Sequence, residues 1–338
     1  MKGITDIRLG LITLRFLHTG WLLLLVLSCI SCSIVTRSEP GRVELFHASL
    51  TDDHTIDAFV PVFLVQGADK TCNRIGLPKV RLDADGRLVV DVDPSQAALF
   101  VNEQDFSTTR GQYRNLIFRV HFEKIPFSLS EWHLGAGNNP GLIVVLTLNR
   151  ANEAVMVTTV HTCGCYLAFI PTDSLPPAAR PTHWPEQSQR VYGKTLPAVI
   201  GAPLVGANSR VLIVIDGGSH RVSDVRLEVL ADLVTQYPIN EMQSESMESL
   251  WALPLAEQRI SFFELSGRRK GYVKNNAKPL ERLLMSWWTF DWYIGEDKVY
   301  GNSEETGALF YTSLKFWRRK ESDMWHFGDF LKFWGWRL

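Results

Sequence analysis

Residues 142–148 (LIVVLTL) restrict this chain most: a strand-length, almost wholly apolar run between Gly141 and the polar stretch 149–153. Such a run reads as a β-strand buried on both faces of a sheet. Residues 154–170 follow directly, so a hairpin brings them against that buried strand. If this second run is extended throughout, its period of two puts Val155, Val157, Thr159, His161, Cys163 and Cys165 on one face.

A histidine and two thiols then point the same way. With His121 from a neighbouring strand, His161, Cys163 and Cys165 form a candidate site for a soft metal, copper(I) or zinc, or an exchanging thiol pair. Alternate strand positions lie roughly 6.6 Å apart, at the outer edge of disulfide reach, so a bridge between these two cysteines needs a bend at Gly164. The plainer reading ranks first: a structural disulfide from Cys72 to Cys163 or Cys165 beside a packed histidine, as exported chains pair their cysteines.

The rest of the body also reads as strands. Residues 80–82 and 88–92 flank Asp83-Ala84-Asp85-Gly86 as a hairpin, whose aspartates are turn formers and not a calcium loop, for the later acidic ligands are missing. Residues 115–123 alternate, with Leu116, Phe118, Val120 and Phe122 on one face and Arg119, His121 and Glu123 on the other, which predicts a half-buried strand with a wet polar face. Residues 211–215 form a further strand that turns through Asp216-Gly217-Gly218-Ser219-His220; no G-x-S-x-G elbow surrounds Ser219, so a turn is expected and not a hydrolase site.

Eight of the eleven tryptophans lie after residue 250, interleaved with lysine and arginine. Pro279 can open a helix carrying Leu280, Leu283, Leu284, Trp287 and Trp288, with Gly295 as its stop, and a second helix can run from Asp323 with Phe327, Phe330, Leu331 and Trp334 on one side. Packing these aromatics into a core ranks ahead of membrane contact through Trp287, Trp288, Trp292 and Trp334. The fold class expected is α+β: a β-rich, mostly antiparallel body (41–250, with a proline-rich seam at 171–197) followed by an aromatic-rich helical segment (251–338).

At the N-terminus, Lys2, Arg8 and Arg15 precede an apolar run at 21–30, short for a span and suited to a signal segment. Leu27-Ser28-Cys29 and Ile30-Ser31-Cys32 resemble the signal of bacterial lipoproteins, which implies acylation of Cys29 or Cys32, a signal segment over 1–32 and a tether over 33–40. The chain is thus expected in the cell envelope, facing outside the cytoplasm, with the membrane as partner through its lipid and an envelope protein as a second partner. A formal net charge of -1 and the lack of a basic stripe give no footprint for nucleic acid. No nucleotide-binding glycine loop or H-E-x-x-H helix is present. A non-catalytic binding or scaffolding lipoprotein is therefore the first functional reading, and a metal-binding or thiol-redox protein the second.

Overall fold

The computed structural model describes residues 41–50, 54–127, 133–203 and 208–338; the lipid-attachment candidates Cys29 and Cys32, the signal segment and the tether lie outside the described residues. The strands are β1 (Glu44–His47), β2 (Val62–Val65), β3 (Ile75–Leu82), β4 (Leu88–Asp93), β5 (Ala97–Ser107), β6 (Gln112–Phe122), β7 (Lys124–Ile125), β8 (Gly137–Asn138), β9 (Gly141–Asn149), β10 (Ala154–His161), β11 (Ala168–Pro171), β12 (Ser188–Val191), β13 (Lys194–Pro197), β14 (Ser209–Ile215), β15 (Val222–Val229) and β16 (Ile239–Ser246). Two three-residue strands follow, then an aromatic-rich block. The helices are α1 (His54–Asp57), α2 (Leu230–Gln236), α3 (Pro279–Thr289), α4 (Ser303–Thr306) and α5 (Phe327–Phe333).

Twelve strands share one sheet in the order β11-β10-β9-β6-β5-β16-β1-β2-β14-β15, with β3 pairing β6 and β4. The sheet is mixed: β16 runs parallel to both β5 and β1, and β14 parallel to β2. The expected antiparallel pattern holds for the sequential hairpins, including β3/β4, β9/β10 and β14/β15. Their turns follow the sequence chemistry: Asp83 Oδ1 accepts from the Asp85 and Arg87 amides, and Ser219 Oγ donates to Asp216 Oδ2 at 3.0 Å.

Period-two alternation divides the sheet's side chains between separate cores. Phe46, Phe63, Leu116, Phe118, Leu142, Val157 and Ile213 share one, so the second face of β6, β9 and β10 packs against the inner face of β1, β2 and β14. The outer face of those last three strands is covered by Leu233 of α2. The third core joins Phe100, Ile117 and Val145 to Phe262, Phe310, Phe327, Phe330 and Trp336.

The C-terminal block is therefore the lid over the other sheet face. It buries the side of β6 that alternation left to solvent: Arg119 and His121 are fully buried, and only Glu123 is partly exposed. In α5, Phe327, Phe330 and Leu331 face inward as the spacing predicts, and a side chain on Gly328 would sit 3.1 Å from the Ser107 carbonyl, so this glycine marks a close approach to β5.

Candidate functional site

The run expected as one extended strand is broken. β10 ends at His161, residues 162–167 form a turn, and β11 returns antiparallel along β10. The Gly164 amide donates to the His161 carbonyl at 2.7 Å, and the His161 amide to the Cys165 carbonyl at 2.9 Å. Gly164 adopts φ +89°, and a Cβ there would fall 2.0 Å from the Tyr311 carbonyl. Only glycine satisfies both the left-handed backbone and this approach. The turn brings its flanking cysteines together: the Cys165 amide lies 3.4 Å from Cys163 Sγ.

The C-terminal block completes the surroundings. Cys165 Sγ lies 3.7 Å from Glu281 Oε1 on the first turn of α3, and Lys298 Nζ donates to the Cys163 carbonyl at 2.9 Å. Glu281 is pressed against Gly295, where a Cβ would meet Glu281 Oε2 at 2.0 Å. Gly295 thus makes room for this carboxylate; the helix it was expected to close stops earlier, at Phe290 in the left-handed region. Cys163 is buried whereas Cys165 is partly exposed, beside Tyr166 and the exposed Tyr192.

Beneath the turn lies a buried polar hub. Asp297 accepts from Thr162 Oγ1, from Asn276 Nδ2 at 2.6 Å and from Lys278 Nζ at 2.9 Å, and both members of the ion pair are buried. Burial opposes the charge on Lys278, but Asp297 and then Cys163 outweigh it and hold the ammonium well above the ordinary lysine value. Burial likewise opposes the Cys163 thiolate; the hydrogen bond from Cys165 and the field of Lys278 outweigh it, so Cys163 is the more acidic thiol. The Cys165 proton is held by its bond to Cys163 and by burial, which push it well above the ordinary thiol value.

The histidines do not join this pair as a metal shell. Val120 and His161 are both registered on Leu142 of β9, and all three point to the same sheet face, so His121 points to the other. His161 directs Nε2 to the His220 carbonyl at 2.9 Å, while His121 Nε2 accepts from Arg119 Nε at 2.8 Å. Among the described residues no three His, Cys, Asp or Glu side chains converge as metal ligands. The copper or zinc reading with His121 and His161 as joint ligands therefore fails on register.

The expected bridge from Cys72 to Cys163 is not formed. Cys72, Cys163 and Cys165 are all free thiols, and no pair of them lies at disulfide distance. Cys72 follows the loop after β2, and burial raises its thiol pKa.

The aromatic candidates divide. All four are exposed, but Trp334 also packs on Phe333 and donates to Thr312 Oγ1 at 3.2 Å, whereas Trp287 and Trp292 stand furthest into solvent. Sequence reasoning missed Glu281, Lys278 and Asp297, which reach the cysteine turn from more than a hundred residues away and carry no local motif. No family model matches the chain, nor does any curated protein or solved structure, so the functional reading rests on these residues themselves.

Proposed function

We propose that the protein exchanges disulfides through Cys163 and Cys165, in a bacterial envelope setting where its N-terminal segment holds it to the membrane. The observation that carries this reading is the pair of free thiols on either side of left-handed Gly164, one sheltered and one reachable, with the reachable sulfur against Glu281. The envelope setting is supported by the apolar run at 21–30 and the cysteines that follow it.

The chemistry is a two-electron exchange. A substrate thiolate attacks Cys165 Sγ of the oxidised pair; the bond between the two sulfurs breaks, and its electron pair leaves on Cys163 in the field of Lys278. A second substrate thiol loses its proton to solvent and attacks the substrate sulfur of the mixed disulfide, and Cys165 departs, taking up a proton on the side where Glu281 sits. The substrate dithiol becomes a disulfide and the pair ends as Cys163 thiolate and Cys165 thiol. A more acidic thiol leaves faster, and stabilising the reduced form makes a pair more oxidising, so the acidity of Cys163 favours this direction. Another disulfide, glutathione disulfide in the assay, restores the oxidised pair.

Equilibrating the full chain with reduced and oxidised glutathione, followed by alkylation and mass measurement, tests the reading. The expected result is the joint loss of two thiols in one intramolecular bond, with Cys72 unchanged. Cys163→Ser and Cys165→Ser should each abolish that bond, and Glu281→Gln should slow its formation by roughly tenfold or more while preserving the end point. Independent glutathione adducts on the two cysteines without an intramolecular bond overturn the proposal, and so does stoichiometric copper or zinc that purifies with the thiols.

A further inference from the structure

Helix α3 is inverted with respect to an ordinary surface helix. Its inward residues are Glu281 and Thr289, whereas Leu283, Leu284, Trp287 and Trp288 face outward, Leu283 at 72% and Trp287 at 73% exposure. A surface helix normally turns its apolar stripe to the core. Here the buried side faces the cysteine turn, because Glu281 reaches Cys165 and the preceding Lys278 pairs with Asp297 beneath it.

The outward stripe continues beyond the helix. Phe290 and Trp292 are exposed, Phe290 meets Phe316 at 5.1 Å between ring centroids, and Phe316 meets Trp317 at 4.9 Å. Arg319 ties this second segment to the helix end by donating to the Thr289 carbonyl at 2.6 Å. Two chain segments thus form one contiguous aromatic face. Within residues 282–292 and 315–321, Arg282, Arg318 and Arg319 pair with Glu296, Glu321 and Asp291, and the exposed Lys315 and Lys320 are the cationic surplus. Arg282 lies over the Trp292 ring at 5.5 Å.

We propose that this face, centred on Leu283, Trp287, Trp288, Phe290, Trp292 and Trp317, seats in the interfacial layer of an anionic bilayer. Indole rings with an apolar body and a polar edge favour that depth, and the surplus of cations complements acidic headgroups. Protein interfaces, by contrast, are depleted of lysine. Interfacial seating requires no spanning segment, and no described helix is long and apolar enough to cross a membrane. The same helix carries Glu281 on its inner side, so the seated face would lie next to the cysteine turn; the inference itself stands on the exposed face and does not depend on the redox reading.

The test uses the full chain carrying Trp21→Phe, so that the N-terminal tryptophan is silent, with vesicles of equimolar phosphatidylglycerol and phosphatidylcholine bearing brominated acyl chains. Tryptophan emission should fall by on the order of a third relative to unbrominated vesicles, because interfacial indoles meet the bromines. The further changes Trp287→Ser, Trp292→Ser and Trp317→Ser should remove most of that quenching, with circular dichroism confirming the fold. High salt should weaken the effect in a variant whose Cys29 and Cys32 are replaced by serine. Unchanged emission overturns the proposal, and so does quenching that persists in the triple tryptophan variant. Concentration-dependent dimers whose tryptophans are shielded from iodide without lipid, and remain unquenched on brominated vesicles, also overturn it and assign the face to a second copy.

Discussion

Asp297→Ala should lower the unfolding free energy of the Gly41–Leu338 unit by about 3–5 kcal/mol, the loss expected when one member of a buried ion pair is removed. The reason is the load on this carboxylate: it accepts from Lys278, Asn276 and Thr162, and from the Gly141 amide at 3.4 Å. Removing it leaves a buried ammonium without its anion. Lys278→Met should be similarly costly for the converse reason, whereas the double variant should cost distinctly less than the sum, since neither charge is then left alone. Urea unfolding of the four proteins measures this coupling. Additive losses would show that Lys278 reaches water in the single variant and that the pair is not the hub described above.

This hub also marks where the sequence stopped being legible. The buried strand at 142–148, the hairpins around Gly86 and Gly217-Gly218, and the inward face of α5 all follow from local periodicity and turn chemistry, and the structure contains them. The parallel neighbours β5/β16, β16/β1 and β2/β14 were not legible, because they join segments far apart in the chain and leave no local pattern. For the same reason β6 reads as half wet: alternation reports that Arg119 and His121 share a face, but not that Phe262 and Phe263 arrive to cover it. An arginine within 5.3 Å of the Phe263 centroid, with its Nε bonded to His121, satisfies the alternation rule and still lies in the interior.

The cysteine turn was legible as a cluster and not as a shape. Gly164 signalled a bend, yet a bend changes every later side-chain direction, so the single face drawn through His161, Cys163 and Cys165 ends at His161. Register decides the rest. With Val120 and His161 both opposite Leu142, the two histidines expected to converge are separated by the sheet itself. Conversely, α3 has the spacing of an amphipathic helix but turns its apolar stripe outward, since hydrophobic periodicity identifies a stripe without saying what covers it.

Acid should unfold this protein earlier than its carboxylates alone would require. His121, His161 and His220 are each 2% exposed or less, and burial, the largest influence on all three, holds them neutral. His161 is pulled down to about 4, His220 to about 3, and His121 well below its ordinary value. Their folded pKa values are depressed, so the stability they contribute is complete above the unfolded value near 6.5 and is lost progressively as the pH falls toward the folded values. In that window the unfolded chain binds protons that the native chain refuses, at about 1.4 kcal/mol per pH unit for each histidine, or about 4 kcal/mol per unit for the three. Asp297, whose carboxyl is also depressed because Lys278 and its hydrogen bonds outweigh burial, contributes above the unfolded carboxylate range and is lost only below it. The steep loss between pH 6.5 and 5 therefore belongs to the imidazoles. Urea midpoints across that range should fall sharply, and His220→Phe, which keeps an aromatic ring stacked on Phe122 where the native rings lie 4.0 Å apart, should remove about a third of the slope. A flat profile from pH 7 to 5 would mean that water reaches these rings in the native state. An undiminished slope in the His220 variant would place the proton uptake elsewhere.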